Sequence, residues 1–388
     1  MLIFRIDTKF AQNYKIILTY AKNVVTLQRK SNKKMFCKDI HSALEAITGR
    51  YEEVVFVHDE RIPMPAVSGQ HPVIRIEVSE ETKGIETVEK IWDRLMETGM
   101  TRRGLLVAIG GGALTDMAGF AAATYKRGIE WVAVPTTLLA MVDASTGGKT
   151  GINYRGMKNM IGAFYPPIET IIWPGWLKTL PTEEMLSGFG EIIKMSAVSC
   201  QKSEVSCQKS ERLWDRVMRY DLERMDIGEL EPIIKECVEA KERIVAADPR
   251  EEGLRKVLNF GHTFGHALEE IMMDNSQLTM HNAQLAIIPH GYAVVYGMIA
   301  ELYLSVVKSG CPKEPLQLLT QTMLHYYGKP QCGCKDRESL LKFMQQDKKN
   351  EHAGEINCTL IRGIGEPIIN QVISPDEARE AWEYLFSL

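Results

Sequence analysis

The chain has 388 residues, 45% of them hydrophobic and 25% charged, with a formal net charge of −4. That profile fits a globular protein long enough for two domains, and it excludes the global basic field that recruits nucleic acid. The opening MLIFRIDTKFAQNYK lacks a signal-like apolar block, no apolar run is expected to span a membrane, and eight cysteines without a C-x-x-C pair read as reduced thiols, so a cytoplasmic protein is expected.

Residues 1–34 end in the basic run NVVTLQRKSNKK. They read either as an extension ahead of a fold that starts near Met35 or as an extra strand and hairpin. Residues 40–49 read as a helix closed by Gly49, and VVFVHD (54–59) as a buried strand ending in an acid. VIRIEV is a strand, ETVEKIWDRLMETG a helix stopped by Gly99, and GLLVAIGGG a strand entering a glycine turn. ALTDMAGFAAATYKRG is a helix of small residues closed at Gly128, and EWVAVPTT is a further strand. This alternation predicts an α/β domain with a parallel sheet over residues 35–180. From Pro181 helical periodicity takes over, in LERMDIGELEPIIKECVEAKERIVAAD, GHALEEIMM and AVVYGMIAELYLSVVKSG. It predicts an all-α domain over 181–388, with the cleft between the two domains as the default site. VSCQKSE at 198–204 is repeated at once at 205–211; no function is assigned to the duplication.

Several residues could carry chemistry. Gly110-Gly111-Gly112 leaves a strand and opens a helix, where backbone can approach a pyrophosphate and the helix N-terminus favours negative charge. It is not G-x-G-x-x-G, so a plain tight turn stays open. Asp59, ending an earlier strand, could accept from a ribose hydroxyl. Glu80 and Lys83 sit three apart at a predicted helix start, where a simple capping role also fits. His262 and His266 are four apart and share a helix face. With His290 and Glu191 they include two histidines and a carboxylate of the kind that holds catalytic zinc; spacing alone leaves ordinary polar roles open. Lys149, Lys158, Lys194, Lys241, Arg255 and Lys348 would make a carboxylate and phosphate site if gathered together, and are solvated charges if not.

GGGALTDMAGFAAATYKRG, VPTTLLAMVDASTGGKTGIN, KNMIGAFYPP, GFGEIIK, EGLRKVLNFGHTFGHALE, PHGYAV and QDKKN, in this order between about residues 54 and 366, resemble the successive signature blocks of 3-dehydroquinate synthases. The resemblance implies an NAD-binding α/β domain followed by a helical metal- and substrate-binding domain. It implies NAD held by Asp59, Glu80, Lys83, Gly111, Gly112, Asp116, Thr136, Thr137, Asp143, Lys158 and Thr179. It implies Zn2+, with Co2+ as a substitute, on Glu191, His262 and His290. His266 would stand beside the reacting carbons. Lys149, Asn159, Lys194, Lys241, Arg255, Asn259 and Lys348 would grip a small anionic sugar-acid phosphate, and Arg127 would reach the phosphate across a homodimer interface.

The implied reaction turns 3-deoxy-D-arabino-heptulosonate 7-phosphate into 3-dehydroquinate by transient oxidation, phosphate elimination, re-reduction and aldol closure. Two positions depart from the family pattern: Tyr292, where His-Gly-Glu is usual, and Arg61, where asparagine is common. Tyr292 implies altered support for the metal histidine rather than its loss. Sister cyclases lack the second histidine of GHTFGH or differ around GGKTG and Asn259. An NAD-linked polyol dehydrogenase of the related fold and a non-catalytic scaffold are the rival classes.

Overall fold

The computed structural model describes residues 14–16, 27–29, 33–155, 157–199, 212–278, 288–330, 332, 336–346, 350 and 354–388. Lys348 and the duplicated heptad from Cys200 onward lie outside the described residues. Packing separates two units: the chain to Pro135 with Gly148–Trp173, and Thr136–Gly147 with Pro174–Leu388.

In the first unit β1 (Tyr14–Ile16) and β2 (Leu27–Arg29) pair antiparallel. The strands β3 (Lys33–Phe36), β4 (Val54–Asp59), β5 (Val73–Ile76), β6 (Leu105–Gly110) and β7 (Glu130–Pro135) follow, then the hairpin β8 (Lys149–Tyr154) and β9 (Met157–Phe164), then β10 (Glu169–Ile172). Six of them form one sheet in the order β3-β10-β7-β6-β4-β5, with every pair parallel. Every residue of VVFVHD and LLVAIG is buried, as expected of central parallel strands covered on both faces. The helices are α1 (Ile40–Thr48), α2 (Ile85–Glu97) and α3 (Gly112–Thr124).

Met35 pairs with Ile171, and the same strand includes Lys33 and Lys34, which meet Glu169 and Thr170. A start at Met35 would cut this edge strand. The hairpin β8–β9, absent from the sequence reading, packs against α3. A Cβ at Gly119 would lie 2.4 Å from Thr150 Cγ2 and 2.8 Å from Trp131, so only glycine permits that approach.

The second unit is largely helical: α4 (Thr182–Val198), α5 (Leu213–Arg219), α6 (Ile227–Ala247), α7 (His262–Leu278), α8 (His290–Ser309), α9 (Lys313–Tyr327), α10 (Arg337–Gln346) and α11 (Pro375–Ser387). It also carries an antiparallel hairpin, β11 (Ile356–Ile361) with β12 (Pro367–Ile373). INCTLI is too short an apolar run for periodicity to separate strand from helix. LERM at 222–225 stays outside α6, because the Asp226 carboxylate accepts from Gly228 N and Glu229 N and starts the helix there. α8 corrects the expectation about apolar runs: it is long and apolar enough to cross a membrane, yet 72% of its most apolar window is buried inside the protein.

Candidate active site

Three helices of the second unit bring the metal candidates together. Glu191 sits in α4, where every residue from Met185 to Val198 is buried. His262 begins α7 and His290 begins α8. One ligand atom from each lies within 4.8 Å of the others. Glu191 Oε1 faces His290 Nε2 at 3.4 Å and His262 Nε2 at 3.7 Å. Among the described residues that oxygen has no hydrogen-bond partner within bonding distance, although the residue is 0% exposed. A buried carboxylate oxygen without a donor, facing two imidazole nitrogens, is a donor set that fits a divalent cation.

The histidines are oriented for this. His262 Nδ1 lies 3.2 Å from the Phe260 carbonyl oxygen. That oxygen can only accept, so Nδ1 is the donor to it, which leaves Nε2, facing Glu191, as the atom a metal would take. His290 Nδ1 lies 3.4 Å from Glu269 Oε2. Burial opposes charging of His290, but Glu269 and Glu191 outweigh it and hold the imidazole up at about 10. His266 is in the same cluster, its ring 5.2 Å from that of His262 and 6.4 Å from that of His290. It is not part of the three-ligand group.

The helices can approach this closely because glycines line their contacts. A Cβ at Gly291 would fall 1.8 Å from the Ser187 carbonyl oxygen, and one at Gly190 2.5 Å from that of Gly291. A Cβ at Gly297 would fall 1.9 Å from the Gly261 oxygen, and one at Gly265 2.9 Å from that of Ala293. Glu301, fully buried in α8, accepts from the backbone N–H groups of Gly261 and Thr263 at 2.7 and 3.2 Å. It thereby satisfies orphan donors at the start of α7, beside His262.

Cations surround the same carboxylate. Lys194, one turn beyond Glu191, pairs with it and lies 3.7 Å from Asp143 Oδ1. Lys241 Nζ donates to Asp143 Oδ1 at 2.6 Å and to its carbonyl oxygen at 2.7 Å. Burial disfavours the Lys194 charge, but Glu191 and Asp143 more than offset it and raise its pKa. For Lys241 burial wins over the pull of Asp143, and its pKa is lowered. Burial pushes Asp143 up, yet Lys241 and Lys194 together hold it below the ordinary carboxylate range. Arg255 is buried, its Nη1 donating to the Pro249 oxygen at 2.9 Å. A Cβ at Gly147 would meet its Nη2 at 2.4 Å. Asn259 Nδ2 donates to Glu251 at 3.1 Å. Thr137 caps the segment that leads to Asp143, its Oγ1 accepting from Ala140 N at 3.2 Å; Thr136, beside it, is buried. Thr179 ends a short helical turn and donates to Trp176 O at 3.3 Å.

The first unit assembles a second group. β4 and β6 are neighbours from which the sheet runs on in opposite directions, and the register pairs His58 with Ile109. One residue on, Asp59 and Gly110 end their strands side by side, and Gly111 and Gly112 open α3. A switch point with a glycine turn, a helix N-terminus and an acid on the adjacent strand is where open parallel sheets take dinucleotides. Lys83 does not cap α2, which starts after Gly84 without a side-chain cap. Its buried ammonium instead donates to Asp116 at 2.7 Å and Asn159 at 2.6 Å. Glu80 likewise is no cap; it accepts from Asn153 at 2.8 Å, and Asn153 accepts from Asn159 N at 2.9 Å. Asn153 was not among the expected residues. Its signal lay in the GIN of GGKTGIN, inside the strand β8, whose existence the sequence did not declare. Lys149 and Lys158 lie on the β8–β9 hairpin, and Arg127 is exposed in a left-handed turn with φ 66°.

Comparison with known proteins defines the class first. A 2-epi-5-epi-valiolone synthase from Streptomyces hygroscopicus, solved with NAD+ and Zn2+ bound, is 26% identical, with a TM-score of 0.75 over 94% of this chain and 99% of that one. A 2-deoxy-scyllo-inosose synthase, 22% identical, shares the fold with a TM-score of 0.73 over 90% of this chain and 96% of that one. The fold is thus that of the sugar-phosphate cyclases. Residues 73–187 match the family model for the 3-dehydroquinate synthase N-terminal region and 188–350 that for its C-terminal region. The 3-dehydroquinate synthase of Parabacteroides distasonis is 38% identical over 91% of this chain and 97% of its own length. That of Prochlorococcus marinus is 36% identical over 99% and 98%. The chain belongs to the 3-dehydroquinate synthase family.

Proposed function

We propose that this protein converts 3-deoxy-D-arabino-heptulosonate 7-phosphate to 3-dehydroquinate and phosphate, with NAD and zinc as cofactors. The observation that carries the reading is the convergence of Glu191, His262 and His290 on one point, with Lys194 and Lys241 beside them. When bound, zinc supplies a Lewis acid for adjacent substrate hydroxyls, and NAD a hydride acceptor that is restored within each cycle.

The chain's own residues do the rest. Glu191 and the two Nε2 atoms would hold the metal. Lys194, Lys241 and Arg255 bring positive charge that can offset a carboxylate, a leaving phosphate and a developing enolate. Asp143 keeps the two lysines in place between turnovers. His266, in the cluster but outside the ligand group, is placed to move a proton. Glu80, Lys83, Asp116 and the Gly111–Gly112 turn would hold the nucleotide, together with Asp59, Thr136, Thr137, Asp143, Lys158 and Thr179. Lys149, Asn159, Asn259 and Lys348 complete the substrate set. The working division is an NAD-binding domain at 35–180 and a metal- and substrate-binding domain at 181–388, preceded by residues 1–34, of which Lys33 and Lys34 already belong to the edge strand β3. A homodimer in the cytoplasm is part of the same reading, with exposed Arg127 reaching a neighbouring subunit's substrate.

The test is phosphate release from the heptulosonate phosphate, with and without NAD, while NADH absorbance is followed. Phosphate release that requires NAD and accumulates no NADH supports the synthase. Net NADH without phosphate release would show a polyol dehydrogenase, and neither signal would overturn both readings.

A further inference from the structure

The acid at the end of β4 is already engaged by its own loop. Arg61 grips Asp59 with Nε on Oδ1 at 3.0 Å and Nη2 on Oδ2 at 2.7 Å. The backbone N–H of Arg61 adds a second donor to Oδ1 at 3.1 Å. Asp59 is buried, whereas the Arg61 side chain is 60% exposed. Each carboxylate oxygen has about two lone-pair positions. Oδ1 is therefore filled and Oδ2 half filled, which leaves little acceptor capacity for the two hydroxyls of a ribose.

Charge changes as well as valence. A lone aspartate at this position accepts from a ribose diol and repels a 2′-phosphate, the basis on which such an acid selects NAD over NADP. Here the aspartate is neutralised by a bidentate guanidinium, and the exposed partner of the pair is the cation. Guanidinium presents its N–H donors in a planar fork suited to phosphate, and this one pairs with Asp59 through Nε and Nη2 while its side chain stays 60% exposed.

We infer that Arg61 converts the adenosine-ribose end of this nucleotide site into one that accepts a 2′-phosphate, so that the protein binds NADP as well as NAD. The inference deepens the proposed function and rests on its nucleotide reading, that the crevice between β4 and β6 takes the adenosine half. A nucleotide whose adenosine end lies there meets Arg61 before it meets the Asp59 carboxylate.

The experiment is calorimetric titration of the full-length protein with NAD and with NADP separately, and of Arg61→Asn with each. Wild type should bind NADP within about tenfold of NAD, and Arg61→Asn should widen the ratio against NADP by at least about tenfold, the effect of losing one charge-assisted phosphate contact. A wild-type preference for NAD larger than that, or a smaller change in the ratio for the variant, would overturn the inference and leave the NAD reading standing. An equal loss for both nucleotides would assign Arg61 to stacking on adenine and also overturn it. Binding of neither nucleotide would overturn the nucleotide reading itself, and this inference with it.

Discussion

Gly297→Ala tests whether close backbone approach positions the metal ligands. Gly297 is about two turns along α8 from His290, and its added Cβ would lie 1.9 Å from the Gly261 oxygen and 2.7 Å from Gly265 N. Ordinary contact at such atoms begins at 3.4 Å, so α7 and α8 must separate by more than roughly 1 Å, because a backbone carbonyl cannot rotate away. In isolation the exchange would stabilise a helix by about 1 kcal/mol. Overpacking costs about 1–3 kcal/mol, more where both partners are backbone, so the sign of the net effect should be destabilising. A displacement of about 1 Å also exceeds several-fold the tolerance of roughly 0.2 Å on metal–ligand distances. Gly261 precedes His262 and α8 begins with His290, so both ligands move. The assay is urea unfolding of the metal-free protein, together with zinc affinity by competition against a chromophoric chelator. The variant should unfold at lower urea and bind zinc about ten- to a hundredfold more weakly. A more stable variant with unchanged zinc affinity would show that the helices do not touch here, and would refute the reasoning.

His262→Ala should lose bound zinc, while His266→Ala should keep it and lose turnover; metal analysis beside a phosphate-release assay separates the two. Glu269→Gln should weaken zinc by about ten- to a hundredfold, since Glu269 lies at His290 Nδ1, and retained affinity would remove that role. Because His290 is held at about 10, its raised pKa means the proton-bound form prevails near neutrality and a metal must displace a proton. Zinc affinity should therefore rise with pH, by about tenfold per unit for one proton, across about pH 6 to 8. A flat profile in the chelator competition would contradict it.

Much of this site was legible in the sequence because the chemistry-bearing side chains sit in short, distinctive contexts. GFGEIIK, GHTFGH and PHGYAV each couple a candidate metal ligand to glycines, and Gly190, Gly261, Gly265 and Gly291 among them are points at which the three helices touch, whereas Gly188 faces Leu138 and Leu139. The central strands declared themselves through unbroken apolar runs. Other features depend on partners distant in sequence. Lys83 reads as a helix-start residue until Asp116 and Asn159, 33 and 76 positions away, draw its ammonium inward. Glu269 and Glu301 look like ordinary helix acids, and only their placement against His290 and the start of α7 shows what they support. The β8–β9 hairpin was missed because MKNMIGAF is mostly exposed and lacks the alternation that marks a half-buried strand. Tyr292, which breaks the family pattern beside His290, packs edge-on against Tyr327 at 4.7 Å; support for the histidine comes from Glu269 instead.

An anomalous difference map recorded at the zinc edge, from crystals of the zinc-loaded protein, examines the shared metal point directly. A single strong peak about 2.0–2.2 Å from a Glu191 carboxylate oxygen and from Nε2 of both His262 and His290 is the predicted result. A peak bound through His266, or none common to those three side chains, would contradict it.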